Sequence, residues 1–236
     1  MLDAKALLDQ LLSAGARGGM VSISEDSPLH PSAAPAQGAS GVVSLLLGAR
    51  TGRHIGEAAL HVGAFGLIGG LAHKAWSDWK DGARPADARV SPDFAELPPP
   101  AGSPFSGCAL ATEADRASVV LIRAMVAASR SAGGMDKDET SRLKEAVAHS
   151  TLDRNMQTVL IDVLDRPDDV AEIVAEVGSP ELAAEVYLAA RLVVDADSAE
   201  ERGFLKRLAA ALEFDPGLVA HLDANARSAK DDHPTV

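Results

Sequence analysis

The sequence predicts an all-α protein, and three observations carry that prediction. Alanine, leucine and valine supply most of the 47% apolar fraction while aromatic residues make up only 3%, a balance that favours helix. From Thr112 onward, apolar residues recur at helical spacing in one segment after another. The breaks between those segments carry helix-start chemistry: Asp136 with Glu139, Ser179 with Pro180, Ser198 with Glu201, and Asp215 with Pro216. The expected architecture is a glycine-rich helical membrane-associated segment, a flexible Pro-rich tether, and a C-terminal bundle of about seven helices.

In chain order, residues 1–15 read as a short amphipathic helix. Asp3 is its cap, Leu7, Leu8, Leu11 and Leu12 lie on one face, and Gly15 marks the stop. Such a helix suits a membrane surface, a partner, or packing on its own chain. Residues 16–37 are rich in Ser, Pro, Gly and Ala without apolar periodicity, and are expected to be a linker.

Residues 38–80 hold nine of the chain's 20 glycines, two apolar runs and both tryptophans. The runs, Ala39 to Ala49 and Ala58 to Ala72, are each shorter than the ~20 residues of a spanning helix. Gly52, Gly56, Ala59, Gly63, Gly66 and Gly70 step by four and three in alternation, so they line one seam of a helix. Glycine in a helix interior costs about 1 kcal/mol relative to alanine, and close approach by another helix is the natural compensation. Membrane lipid, a second helix or another copy of the chain are the partners expected at that seam. Arg53, Glu57 and His61 stand at i, i+4 and i+8, where they can support one another. Lys74, Trp76, Trp79 and Lys80 follow the second run, where interfacial aromatic and basic residues belong. Residues 81–108, with PPPAGSP at their centre, are expected to form an extended tether.

The helical domain is expected over residues 109–226. Its first helix starts at Thr112, with Ala117, Val120, Leu121, Ala124 and Met125 on one face, and ends at Gly133-Gly134. The second starts at Asp136 and carries Leu143 and Val147. The third carries Met156, Val159, Leu160, Val163 and Leu164, and the fourth opens at Asp168. Ser179-Pro180 opens a fifth with Leu182, Val186, Tyr187, Ala190 and Val193 inward. Ser198 and Glu201 open a sixth, burying Phe204, Leu205, Leu208 and Leu212, and Asp215-Pro216 opens a seventh. The acidic start at Asp136 recurs 61 residues later at Asp197, with apolar residues at matching offsets, an echo that suggests two related helix pairs. Residues 227–236 are polar and expected to fray.

Charge and missing motifs narrow the function classes. Residues 1–108 carry 8 basic and 10 acidic side chains and residues 109–236 carry 14 and 24, so nearly all of the net −12 sits in the C-terminal half. That surface repels phosphate backbones and argues against nucleic acid as a partner. Cys108 is the lone cysteine, so neither an intrachain disulfide nor a zinc-type cysteine cluster is available. There is no G-x-S-x-G elbow, no H-E-x-x-H and no P-loop, and His149 and His221 are expected to be partly buried structural histidines. The sequence points to a protein that is not an enzyme.

Four stretches resemble a known bacterial pattern: MLDAKALLDQLL at the start, SLLLGARTGRHIG, PPPAGSPF, and AEVYLAARLVVDADSAEERGFLKRLAAAL. In that order, and over nearly the whole chain, they resemble the YebE-like family of bacterial inner-membrane proteins of unknown function. The C-terminal half of that family resembles the TerB-like tellurite-resistance fold. The resemblance implies a place at or in the bacterial inner membrane with the helical domain in the cytoplasm, and no established activity. TerB-like domains carry an Ala-Asp-Gly-x-Ile-Asp-x-x-Glu motif and a second acidic cluster, proposed to bind a divalent metal. Here Ala132 stands where the motif has its first aspartate, while Asp136 and Glu139 match; the second cluster offers Asp195, Asp197, Glu200 and Glu201. The ligand set so implied is Asp136, Glu139, Asp197 and Glu200, for a cation such as calcium, which takes about six to eight oxygens. The same aspartates are explained as helix caps and the glutamates as helix-start charges, and both readings stand. Two functions are therefore expected: a membrane-associated scaffold whose acidic domain binds a protein partner or a second copy, or a metal-responsive module in stress or tellurite response.

Overall fold

The structure, a computed structural model, describes residues 64–90, 103–106, 111–133, 137–149, 154–167 and 169–230. Every regular element among them is helical: α1 (Ala64–Lys80), 3-10 turns at Pro85–Asp87 and Pro104–Ser106, α2 (Ala111–Ser131), α3 (Lys137–Ala148), α4 (Arg154–Asp165), α5 (Val170–Ala175), α6 (Pro180–Val193), α7 (Ala199–Ala211) and α8 (Pro216–Lys230). The all-α expectation is met, with seven helices from Ala111 to Lys230. The helix at residues 3–14, the linker over 16–37, the first apolar run, and Gly52, Gly56, Ala59 and Gly63 lie outside the described residues.

Helix α6 is the axis of the fold. Ser179 is its N-cap, with Oγ accepting the Leu182 N–H at 3.1 Å, and Pro180 occupies the first turn where no N–H is needed. Every residue from Ala183 to Val193 is buried. The sequence suggests one apolar face; the helix is instead covered all round, because α1, α2, α7, α8 and the turn at Pro104–Ser106 pack against it. The alanines Ala183, Ala184, Ala189 and Ala190 make that enclosure possible, since small side chains let neighbouring helices approach closely.

Helix α1 overlaps the second apolar run, which sequence reasoning assigns to a membrane or an unidentified helix. Its described part packs instead on α6 and α8 of the helical domain. Leu67, Ile68, Leu71, Ala72 and Ala75 are 0% exposed and belong to the same core cluster as α2, α6, α7 and α8. Burying the three large side chains is worth roughly 5–9 kcal/mol before entropy, comparable with the whole stability of an ordinary domain. An apolar helix face looks the same in sequence whether lipid or protein covers it. Among the described residues, no helix is long and apolar enough to cross a membrane. Helix α1 ends in a Schellman motif: Gly82 has φ +71, its N–H donates to Trp79 O at 3.2 Å, and the Ala83 N–H donates to Asp78 O at 2.9 Å.

The described parts of the expected tether are docked. Ala88 and Val90 are buried, and the Val90 N–H donates to Ser228 Oγ on α8 at 2.9 Å. Phe105 is 3% exposed, edge-on to His73 at 5.5 Å and to Trp76 at 5.7 Å. Trp76 also meets Trp79 edge-on at 5.7 Å, with Lys80 Nζ 5.3 Å from the Trp76 ring centre. The tryptophans expected at a lipid interface therefore contact the chain's own side chains. Phe105 is the aromatic anchor that the Pro-rich composition around it conceals.

Gly66 and Gly70 both fall within α1. A close approach occurs at Gly69, which the four-three spacing skips. A Cβ there would lie 2.5 Å from the Phe105 carbonyl oxygen and 3.2 Å from Glu185 Oε1. At the other end of the domain, α3 packs on α4, and α4 packs on α2. Arg130 of α2 donates to Leu164 O at 2.5 Å and Arg166 O at 3.1 Å, satisfying carbonyls at the end of α4.

Two boundaries differ from the sequence reading. Asp169, not Asp168, caps α5, with its side chain accepting the Ala171 N–H at 2.8 Å. The expected tail begins too early, because α8 continues to Lys230 with Ala229 2% exposed; residues 231–236 lie outside the described residues.

Candidate functional site

Polar side chains concentrate in the interior where α6, α8 and the loop from Val194 to Ser198 meet. Arg191 is a charged residue inside the otherwise apolar run of α6, and it is 4% exposed. Its guanidinium turns to the end of its own helix, donating to Val194 O at 2.5 Å, while Nε lies 3.4 Å from Asp223 Oδ1 on α8. The Tyr187 hydroxyl donates to the same Asp223 oxygen at 3.1 Å. From the last turn of α8, Lys230 Nζ donates to Val194 O at 2.7 Å and to Asp195 Oδ1 at 2.8 Å. Two cations thus meet the carbonyl at the C-cap of α6, where the helix dipole is negative.

Burial shapes the proton affinities of this cluster. Desolvation, helped by the Asp223 charge, raises the Tyr187 phenol far above its ordinary value. Burial also raises Asp223, outweighing the opposing pull of Arg191 and the Tyr187 hydrogen bond. Lys230 is lowered by burial, with Arg191 adding to the effect and the Asp195 bond opposing it. Such shifts mark functional sites and structural ion networks alike. Here each group bonds to another helix or loop, so the arrangement joins α6 to α8. Two further polar atoms on α8, His221 Nδ1 and Asn225 Oδ1, are buried with no hydrogen-bond partner among the described residues.

The loop after α6 holds the second acidic cluster. Ala196 adopts a left-handed backbone, φ +62, and turns the chain back on itself. Arg202 Nη1 donates to Ala196 O at 3.0 Å and to Asp197 O at 2.6 Å. Ser198 is the N-cap of α7, and its capping box with Glu201 forms as the spacing predicts: Ser198 Oγ accepts the Glu201 N–H at 3.0 Å, and Glu201 Oε2 accepts the Ser198 N–H at 3.3 Å. Glu201 Oε2 also accepts the Asp197 N–H at 2.9 Å. The cap is therefore Ser198, and Asp197 precedes it.

Of the proposed cation ligands, Asp197 and Glu200 are exposed at this loop. Asp136 lies outside the described residues, as does the side chain of Glu139. Among the described residues, no group of three or more His, Cys, Asp or Glu side chains is placed to hold a metal ion together. The donors nearest the α6–α7 turn do not fit a divalent cation as they stand. Val194 O, Asp195, Ala196 O and Asp197 O already accept from Arg191, Lys230 and Arg202, and Glu201 is closed into its capping box.

The two histidines part company. His221 is buried as expected, while His149 is exposed at the end of α3, with Nδ1 2.8 Å from Glu145 O. Sequence reasoning missed Tyr187, Arg191, Asp223 and Lys230 as one network. Arg191 within LAARLVV is the signal that was available, since a charge inside an apolar run needs a buried partner. Lys230 carried no such signal in its polar surroundings.

A second charged cluster ties α2 to α4 and α5. Arg123, with 3% of its side chain exposed, pairs with Glu172 at 3.3 Å and with Glu176. Arg166 lies 3.4 Å from Glu176 and 2.8 Å from Asp162, and Lys144 pairs with Asp165. Asp162, Asp165, Asp169 and Glu172 are exposed here, with Arg166, Lys144 and Arg123 paired to Asp162, Asp165 and Glu172, so this rim of the domain is acidic but partly neutralised.

A family model described as "Protein of unknown function (DUF533)" matches residues 32–226. No curated protein matches, and no solved structure does. The matched range runs from before α1 into α8, taking in the glycine-rich stretch and the helical domain together.

Proposed function

The chain belongs to the DUF533 family of unknown function, the YebE family, and on that basis we propose that it is a non-enzymatic envelope-associated scaffold whose acidic helical domain binds a partner protein. The resemblance of the helical half to TerB-like domains, and its place on the cytoplasmic side of a bacterial inner membrane, belong to this proposal. The observation that carries it is the division of charge in the domain. Its buried polar groups tie helix to helix, as Arg191, Asp223 and Lys230 do, while Asp162, Asp165, Asp169 and Glu172 face outward. A rim of that kind suits a partner with a basic surface. With Leu67, Ile68 and Leu71 committed to the core, attachment to a membrane or a second helix falls to the apolar glycine-rich residues before Ala64.

The test is fractionation of native membranes with carbonate and then detergent, followed by recovery of the full-length protein with its bound partners at low salt. The expected outcome is retention through carbonate, release by detergent, and a partner lost on Asp162→Lys with Asp169→Lys. Complete release of the intact protein without detergent would refute the attachment. Partner recovery unaffected by the charge reversal would refute the role of the acidic rim.

A further inference from the structure

We infer that the α6–α7 loop, which carries the second acidic cluster, is closed by cations of the chain itself, Lys230 foremost, at oxygens of Val194, Asp195, Ala196 and Asp197 that a divalent metal would have to take from them. This goes beyond the scaffold proposal and does not depend on it. The geometry rests on four oxygens. Lys230 Nζ lies 2.7 Å from Val194 O and 2.8 Å from Asp195 Oδ1. Arg191 Nη1 lies 2.5 Å from the same Val194 O, and Arg202 Nη1 reaches Ala196 O at 3.0 Å and Asp197 O at 2.6 Å.

The left-handed turn at Ala196 lets carbonyls on both sides of it meet these cations. A loop of carbonyls and carboxylates around positive charge is what a calcium site offers. Here the positive charge arrives on side chains from α6, α7 and the last turn of α8. The Lys230 side chain is only 10% exposed, so its ammonium is lodged in the fold. A divalent ion at Val194 O and Asp195 would have to displace it and then sit beside Arg191, with like charges repelling.

A metal bound here would order the loop only when metal is present. A lysine from α8 orders it constitutively and ties it to the helix that also holds Val90 through Ser228. Within the cluster from Asp195 to Glu201, Lys230 neutralises Asp195 and the capping box takes up Glu201, while Asp197 and Glu200 stay exposed.

The test is thermal unfolding of the full-length protein with and without millimolar calcium, in the wild type, Lys230→Met, Lys230→Arg and Asp195→Asn. Lys230→Met is expected to lower Tm by roughly 5 °C with calcium restoring none of it, because Arg191 and Arg202 still hold Val194 O, Ala196 O and Asp197 O. Lys230→Arg, which keeps a cation in place, is expected to retain most of the wild-type Tm and to gain nothing from calcium. A wild-type calcium response abolished by Asp195→Asn overturns the assignment, because the native loop would then be binding metal. So does a Lys230→Met variant as stable as the wild type. If Lys230→Met fails to fold, a Lys230→Arg variant that keeps the wild-type Tm counts for the assignment, and one that fails with it counts against it.

Discussion

Gly69→Ala tests the most specific contact in the fold. Alanine is ordinarily the better helix residue, and at an open interior position the exchange gains about 1 kcal/mol. At Gly69 the added Cβ would stand 2.5 Å from the Phe105 carbonyl oxygen, well inside the distance real Cβ atoms keep, so backbone must move. Glu185 Oε1, at 3.2 Å, can give way by rotation; a main-chain carbonyl cannot. Shifting it drags Phe105, whose buried ring is wedged against His73 and Trp76. Overpacking of this kind costs about 1–3 kcal/mol, so after the gain in helix propensity the expected net loss is about 1 kcal/mol. Gly203→Ala on α7 is the control. Its Cβ would meet nothing closer than Arg207 Nη1 at 3.5 Å, so it should stabilise by roughly 0.5–1 kcal/mol. Urea denaturation of the full-length protein measures both. Trp76 and Trp79 are the chain's only tryptophans, so fluorescence follows the α1 side of the packing while circular dichroism follows the helices. If Gly69→Ala stabilises as much as Gly203→Ala, the backbone contact does not constrain the fold and the argument fails.

Three further outcomes are expected. Glu213 occupies the left-handed position after α7, φ +56, in a Schellman motif closed by Glu213 N–H to Ala210 O and Phe214 N–H to Ala209 O, each at 3.1 Å. Glu213→Gly should therefore raise stability by about 1 kcal/mol in denaturant titrations, and a loss would show that the glutamate side chain matters there. Ser198→Ala should lower stability by about 1 kcal/mol, and pairing it with Glu201→Gln should give a loss smaller than the sum of the singles, since both belong to one capping box. Asp223 holds its proton more tightly in the fold than in the unfolded chain, so its own contribution is full below the ordinary carboxylate range and lost as pH rises through its raised value. Asp223→Asn should consequently lose stability more steeply than the wild type as pH falls from about 7 to about 4, whatever its starting value; parallel profiles would remove Asp223 from the account.

Helix starts were the most legible part of the sequence. Ser179-Pro180, Ser198 with Glu201, and Asp215-Pro216 open α6, α7 and α8, because capping chemistry acts within a few residues and leaves its pattern in the chain. What covers an apolar face is a different matter, decided by segments far away. Leu67, Ile68 and Leu71 satisfy the hydrophobic effect equally well in lipid or against α6 and α8, so periodicity alone could not place α1. Phe105 was hidden by the Pro-rich stretch around it, and Lys230 by a polar tail, since single anchors make no periodic signal. The network at Asp223 was half visible: Arg191 announced that a buried partner exists, but not that it comes from α8.

The place of α1 also governs how the domain would carry a load. A chain held by a peripheral element can be peeled away one contact at a time. Tension on the residues ahead of Ala64 enters this domain through a helix clamped on one side by α6, on another by α8, and pinned across Gly69 by the Phe105 main chain. Pulling there would shear α1 lengthwise, breaking its contacts nearly together, so the domain should yield abruptly rather than loosen by degrees. The same geometry warns against cutting the chain at residue 109. A fragment begun there would leave bare the sides of α6 and α8 that Leu67, Ile68 and Leu71 now cover.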